Sequence, residues 1–274
     1  MNYYTIAPPV KLAEYVQFFW VLEGSATPVN PFFHRVMAES SPEWIFYCKG
    51  QFESPEGQRT PLSCLSGQLQ DFKKLYTSND FCLFGIYLFP YAIPGIFGLP
   101  AHALSDQTVD TGTLLGREGQ LLEQKIFAAA DHMQRATIIS QFILQRLAKS
   151  RETDSAVFTS IRQILFSSAA LSIPALADSC CLSRRQFERR FVHYAGYSPK
   201  HFQRIARFNA VIKGFDKRPG SLTEMAYNCG YYDQSHFIHD FRLFSGYNPK
   251  AFFKNQKDAI DYRAFEEFNS WSED

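Results

Sequence analysis

The sequence predicts an α+β chain: a β-rich N-terminal part, then a helical hairpin, then an all-α C-terminal part. Three observations predict it. Aromatic and β-branched runs bounded by turn residues fill the first part of the chain. From about Thr113 the apolar residues recur at helical instead of strand spacing. Finally, a set of helix signals in the C-terminal part occurs twice, about fifty residues apart.

Residues 15–23, 43–48 and 80–90 are rich in Phe, Trp, Tyr, Val and Ile, and the turn-forming clusters 26–31 and 53–57 separate them. Short strands at this spacing suit a sandwich or a small barrel. Leu114, Leu115, Leu121, Leu122 and Ile126 follow at helical intervals, then Ile138, Ile139, Phe142 and Leu147. A break at 130–132 predicts a hairpin over about 114–148. Residues 149–155 are polar and aperiodic, which suits a linker. The domains expected are therefore 1–150, 151–257 and a tail, 258–274.

A chain of 274 residues and 31.5 kDa suits two domains. Its net charge of +1 conceals an uneven distribution. Residues 1–150 hold 11 basic against 13 acidic side chains, residues 151–257 hold 16 against 8, and residues 258–274 hold 1 against 6. A basic module between an acidic body and an acidic tail points to a polyanionic partner for that module. The tail mixes its acids with Tyr262, Phe265, Phe268 and Trp271, more aromatic than a solubilising tail requires. No apolar run approaches the ~20 residues of a membrane helix, and no positive charge precedes an apolar stretch at the N-terminus. The six cysteines show no CxxC spacing, so a reducing cytoplasm is the expected compartment.

The repeat is specific. Phe191, Gly196, Tyr197, Pro199, Lys200 and Phe202 recur as Phe241, Gly246, Tyr247, Pro249, Lys250 and Phe252. Upstream, Leu176, Ala177 and Cys180 recur one position short of that offset as Met225, Ala226 and Cys229, so one copy has a turn longer by a residue. Each copy reads as helix, tight turn, an N-cap at Ser183 or Asp233, and a second helix closed by Gly196 or Gly246. These are two helix-turn-helix units. At 100° per residue, Phe187, Phe191, Tyr194 and Ala195 share the inner face of the first copy's second helix. Arg185, Arg189 and Val192 lie opposite. In the second copy Phe237, Phe241 and Phe244 lie inside, with Ser235, His239 and Arg242 opposite. Arg184, Gln186, Glu188 and Arg190 complete the exposed turns. Donors for base edges flanked by cations for phosphate are what a groove-reading helix needs. Arg184, Arg190 and Arg242 are thus candidate phosphate contacts, as are Lys200 and Lys250 just after helix-starting prolines.

Residues from about 158 to 255 resemble the DNA-binding domain of AraC-type transcription regulators. The resemblance rests on Ala177, Ser183, Phe187, Arg189, Phe191, Gly196, Tyr197, Pro199, Arg207, Ala226, Gly230, Tyr231, Asp233, Phe237, Phe241, Gly246 and Pro249. It implies two helix-turn-helix units joined by a long helix near 201–215 and reading successive major-groove turns. By position it places base contacts on Arg185, Glu188 and Arg189, then on Gln234, Ser235, Ile238 and His239. Cys181 departs from the pattern where the first turn usually has glycine. Glu188 departs too, since an acid there must accept from cytosine or pair with an arginine. More weakly, Tyr3, Tyr4, Pro8, Pro9 and residues 16–20 resemble the β-rich sensor domains attached to such regulators. That implies a cupin-like barrel followed by a dimerising hairpin.

Other signals carry less. His236, His239 and Asp240 have metal-ligand spacing but lie on the groove-reading helix. In the β-rich part, His34 and His102 are too few imidazoles for a metal cupin. No metal site and no cofactor is expected, and no nucleophile elbow or paired-carboxylate motif marks an enzyme. Trp20, Trp44, Phe46 and Tyr87 could line an effector pocket, although aromatics at strand spacing equally suit a plain core. The expectation is a sequence-specific regulator with double-stranded DNA, a small-molecule effector and a second copy as partners, and RNA polymerase if it activates. The rival readings are a cupin-type enzyme fused to a DNA-targeting module, and a regulator whose N-terminal domain binds protein.

Overall fold

Strand alternation determines what the N-terminal sheet buries. In the computed structural model, which describes residues 1–150, 154–167, 171–214 and 222–254, β2 (Val16–Gly24) places Phe19 and Val21 on one face and Phe18, Trp20 and Leu22 on the other, all buried. It pairs with β1 (Asn2–Ile6) on one side and with β7 (Phe81–Leu88) on the other. The remaining strands are β3 (Phe32–Val36), β4 (Glu43–Lys49), β5 (Ser63–Ser66), β6 (Lys73–Thr77) and β8 (Thr108–Asp110). Six of them form one antiparallel sheet in the order β1-β2-β7-β4-β5-β8, while β3 and β6 pair separately as a ribbon.

The sheet does not close into a barrel. β1 and β8 are its two edges and are not paired with each other, so the cupin-like barrel expected from the sequence is corrected to an open sheet. The physical reason lies in the strands and the helices together. β5 has four residues and β8 three, which is too short for a closing seam. Helices cover the apolar face instead: α1 (Ala92–Phe97), α2 (Thr111–Leu115), α3 (Arg117–Ala128) and α4 (His132–Lys149). Phe19, Trp44, Phe46, Phe84 and Ile86 meet Ile93, Ile96, Phe97, Leu122, Ile126, Ile139 and Ile143 in one cluster. Burying each such side chain contributes about 1.5–3 kcal/mol. The opposite face is also aromatic, with Phe18 stacked on Tyr87 at 4.9 Å and Trp20 lying over Gly85. A Cβ at position 85 would collide with the Trp20 indole, so only glycine fits there.

The hairpin follows its sequence signals. α3 ends at Ala129, and Asp131 caps α4 by accepting from the Gln134 amide at 2.7 Å. Its apolar side faces the sheet, leaving Leu121 and Met133 exposed. α1 carries no clear sequence signal, because Pro94 and Gly95 read as breakers. Gly98, in the left-handed region at φ 73°, ends it.

The second region is helical: α5 (Ser155–Phe166), α6 (Ile173–Ser179), α7 (Arg184–Ala195), α8 (Pro199–Gly214), α9 (Leu222–Asn228), α10 (Gln234–Ser245) and α11 (Pro249–Lys254). Its core contains the phenylalanines of the repeat. Phe191 meets Phe202 at 5.5 Å, and Phe241 meets Phe208 at 5.4 Å. The joining helix starts at Pro199, two residues earlier than expected, and its 16 residues span about 24 Å. The described residues divide into one compact unit of Met1–His34, Ser41–Gln68 and 74–150, and a second of Arg35–Ser40, Leu69–Lys73 and the described residues from Asp154 to Lys254. Residues 151–153 of the expected linker, Phe215 at the end of the expected joining helix and the 258–274 tail lie outside the described residues.

Candidate nucleic-acid interface

Each reading helix is set by local chemistry. Ser183 Oγ accepts from the Gln186 amide at 3.4 Å, while the Gln186 side chain accepts from the Ser183 amide at 3.1 Å, a reciprocal capping box. Asp233 does the same work alone, accepting from the His236 amide at 2.7 Å. Gly196 and Gly246, at φ 81° and 71°, close α7 and α10.

The turn between α6 and α7 survives its missing glycine. Cys181 adopts φ 53°, matching Gly230 at φ 73° in the second copy. The Cys181 amide donates to Asp178 O at 2.9 Å, and the Gly230 amide donates to Tyr227 O at 2.9 Å. The next amides also correspond, Leu182 to Ala177 O at 3.1 Å and Tyr231 to Ala226 O at 2.9 Å. Both turns therefore open with the same geometry, the second being one residue longer before its N-cap, and Cys181 bears the strain of a left-handed conformation that a Cβ disfavours.

On α7 the four arginines divide in two. Arg184 donates to Glu188 at 2.9 Å, and Arg190 to Asp154, the N-cap of α5, at 3.2 Å. Glu188 thus pairs with an arginine, one of the two roles open to an acid at its position. Arg185 and Arg189 are exposed and make no hydrogen bond or ion pair among the described residues. They are one turn apart on the outer face, each with a full guanidinium fork to offer. On α10, Gln234, Ser235, His239 and Arg242 are exposed, whereas Ile238 is half-buried against the core of the second copy. His239 Nδ1 lies 3.5 Å from Asp240 and His236 Nε2 lies 3.6 Å from it. Asp240 itself is fully buried and accepts from Arg204 at 2.6 Å. The His236, His239 and Asp240 spacing therefore belongs to an ion-pair network anchored on α8.

Lys200 and Lys250 are exposed in the first turns of α8 and α11, behind the buried Pro199 and Pro249. Arg207 donates to Gly230 O at 3.0 Å and lies over the Tyr231 ring at 4.9 Å, bracing the second turn. Burial pushes the Tyr231 phenol well above its ordinary pKa. Two features went unread in the sequence, the Asp154–Arg190 and Arg204–Asp240 pairs. The fifty-residue offset relates 190 to 240, but upstream of the turn the offset is 49 and relates Asp154 to Gln203 instead of Arg204, so the repeat does not reveal the pairs.

The four aromatics singled out for an effector pocket do not come together. Trp44 and Phe46 lie in the helix-covered core, with Trp44 against Phe97 at 5.1 Å and Phe142 at 5.7 Å. Trp20 and Tyr87 lie on the opposite face of the sheet, and all four are buried.

Residues 176–255 match a family described as a helix-turn-helix domain, and residues 4–110 match a domain of unknown function, DUF6597. The HTH-type transcriptional regulator ArgR of Pseudomonas aeruginosa is 29% identical over 80 residues, covering 29% of this chain and 24% of that protein. The HTH-type transcriptional activator RhaS of Escherichia fergusonii is 30% identical over 84 residues, covering 30% of this chain and 29% of RhaS. The chain thus matches about a quarter of the length of these curated relatives. Among solved structures, ToxT from Vibrio cholerae aligns over 86% of this chain and 97% of its own, with a TM-score of 0.46 and 9% identity.

Proposed function

We propose that the chain is a regulator of the AraC type and controls transcription by reading two successive major-groove segments of double-stranded DNA. The observation that carries this reading is the pair of equivalent caps and turns, which presents α7 and α10 as two copies of one device. Arg185 and Arg189 offer bidentate donors to guanine edges, and Glu188 orients Arg184. Gln234, Ser235 and His239 offer smaller contacts in the second segment, with the Ile238 methyls available to a thymine methyl. Arg184, Arg190, Arg242, Lys200 and Lys250 supply phosphate contacts, which set register without reading sequence.

The function is then a free-energy difference between an operator and bulk DNA, with no reaction catalysed. The N-terminal unit senses an effector, and its hairpin pairs two copies, with the exposed Leu121 and Met133 in the contact. RNA polymerase is the further partner if the regulator activates, and the cytoplasm is the compartment. Among the described residues no helix is long and apolar enough to cross a membrane.

Selecting bound sequences from random DNA and footprinting the winner tests the reading. Two protected major-groove segments about ten base pairs apart on one face are expected. Replacing Ser235 and His239 with alanine should alter preference in only one of them. A footprint confined to one segment and indifferent to those changes would show that the second copy does not read DNA.

A further inference from the structure

Outside the DNA interface, one group of chemistry-bearing side chains lies within the N-terminal unit. β2 and β7 are in register with Glu23 directly opposite Cys82, and α4 starts at His132 above them. His132 Nε2 is 3.1 Å from Glu23 Oε1, Cys82 Sγ is 3.5 Å from the same oxygen, and Sγ lies 3.9 Å from Nε2. Among the described residues, this is the one His, Cys and carboxylate trio whose ligand atoms lie within 4.8 Å of one another.

Those three distances can be set against a metal. Zinc bonds of ~2.3 Å to sulfur, ~2.0–2.1 Å to nitrogen and ~2.0–2.2 Å to oxygen, at tetrahedral angles, separate the ligand atoms by about 3.6 Å for S···N and S···O and about 3.4 Å for N···O. The triangle of this chain differs from that by about 0.3 Å at most. From this geometry we infer that Glu23, Cys82 and His132 form a binding site for a zinc-class divalent cation, with three protein ligands and the fourth position facing solvent.

Charge and access agree with it. A dication on one thiolate and one carboxylate is neutral, which suits a site beside the Arg135 guanidinium and the positive end of α4. The Cys82 proton leaves to solvent as the ion binds. His132 is mostly buried, while Glu23 is 40% exposed. Glu23 and Cys82 both line an open surface groove of about 530 Å³ that Lys49 and Asp80 share, giving an ion a path in. The two imidazoles of the β-rich part, His34 and His102, are not members of this trio. The third ligand comes from the hairpin.

Arg135 Nη1 stands 3.0 Å from His132 Nδ1 and 3.4 Å from Nε2, and binding at Nε2 would place the imidazole proton on Nδ1. Two donors cannot face each other, so Arg135 turns Nη1 aside. Its Nε and Nη2 keep their carbonyl partners, Ile126 at 3.2 Å and Ala129 at 3.5 Å, both at the end of α3. An arriving ion therefore changes a contact within the first turn of α4 while the bonds that tie α4 to the end of α3 stay in place. Cys48, on the neighbouring strand, donates to Phe46 O at 3.8 Å and lies outside the trio.

The test uses the reduced full-length chain and Co²⁺ as the spectroscopic probe, without DNA, so its outcome is independent of the DNA reading. One equivalent of Co²⁺ should give tetrahedral visible bands and a thiolate-to-cobalt charge-transfer band, both abolished by Zn²⁺. Cys82→Ser should lose the charge-transfer band, and Cys48→Ser should keep it. His132→Gln, with an unchanged thermal melt in the absence of metal, should bind at least about 100-fold more weakly, since even outer-shell losses cost 10–100-fold. A wild-type chain without the charge-transfer band overturns the proposal and leaves a hydrogen-bonded staple between α4 and the sheet. A band that survives Cys82→Ser overturns it as well.

Discussion

In the first helix-turn-helix copy Arg190 on the reading helix pairs with Asp154 at 3.2 Å; fifty residues on, Asp240 on the second reading helix pairs with Arg204 at 2.6 Å. Arg190 and Asp240 occupy equivalent positions of the two helices, so the charge that each helix brings to its ion pair is reversed. Coulomb attraction does not depend on which partner carries which sign, so the fold tolerates the exchange. The surfaces do not. In the first copy the reading helix keeps its cation, half exposed, among four arginines. In the second the reading helix holds the anion, fully buried, and Arg242 is its one arginine. The first copy's outer surface is therefore rich in cations, whereas the second offers mainly neutral polar side chains.

The largest expected effect separates the two ion pairs. Arg204→Ala leaves Asp240 buried without its partner and should destabilise the chain by about 3–5 kcal/mol in denaturant unfolding. Arg190→Ala removes a half-exposed cation and should cost about 1 kcal/mol or less. Equal losses would break the comparison, because they would mean that burial does not distinguish the copies.

Next in size comes base discrimination. Arg189→Ala should reduce preference at one base pair of the first segment by about 1–3 kcal/mol, measured by competition among operator variants. Ser235→Ala should have a smaller effect, confined to the second segment. A larger loss from Ser235 than from Arg189 would reverse this contrast between the copies.

The two turns give a third contrast, with opposite signs. Cys181→Gly removes a Cβ from a left-handed position and should stabilise the chain by roughly 0.5–1 kcal/mol. Gly230→Ala introduces that Cβ and should destabilise it by about 1 kcal/mol. Thermal melts of the two variants, shifted in opposite directions, would sharpen the equivalence of the turns. The smallest effect concerns Lys200 and Lys250. Either lysine changed to alanine should weaken all DNA sequences alike and lower the slope of log affinity against log salt by about 0.9. A change in sequence preference from either would place that lysine at a base edge.

How far the chain could be read from its residues depended on the range of the forces involved. The caps at Ser183 and Asp233, the closing glycines 196 and 246 and the buried phenylalanine faces were all legible, because each interaction joins residues a turn apart. Repetition strengthened them, since an isolated basic helix is ambiguous and a duplicated one is much less so. The strands β2, β4 and β7 were legible for a similar reason, being long, aromatic and β-branched. Helix α1 was not, because its local signals opposed its formation and packing on the sheet prevailed.

The sequence by itself thus determined a helical, duplicated, basic module and the segments of a β-rich partner. Only the tertiary structure decided whether the sheet closed, because closure depends on which strands pair and on the helices that compete for its apolar face. It also decided that Trp20 and Tyr87 lie opposite Trp44 and Phe46. Alternation fixes faces within one strand, whereas the register between strands relates the faces of different strands, and a slip of one residue inverts them. Glu23, Cys82 and His132 depend on the same long-range register plus the placement of a helix. They are separated by 59 and 50 residues, so no local spacing could have brought them to one point.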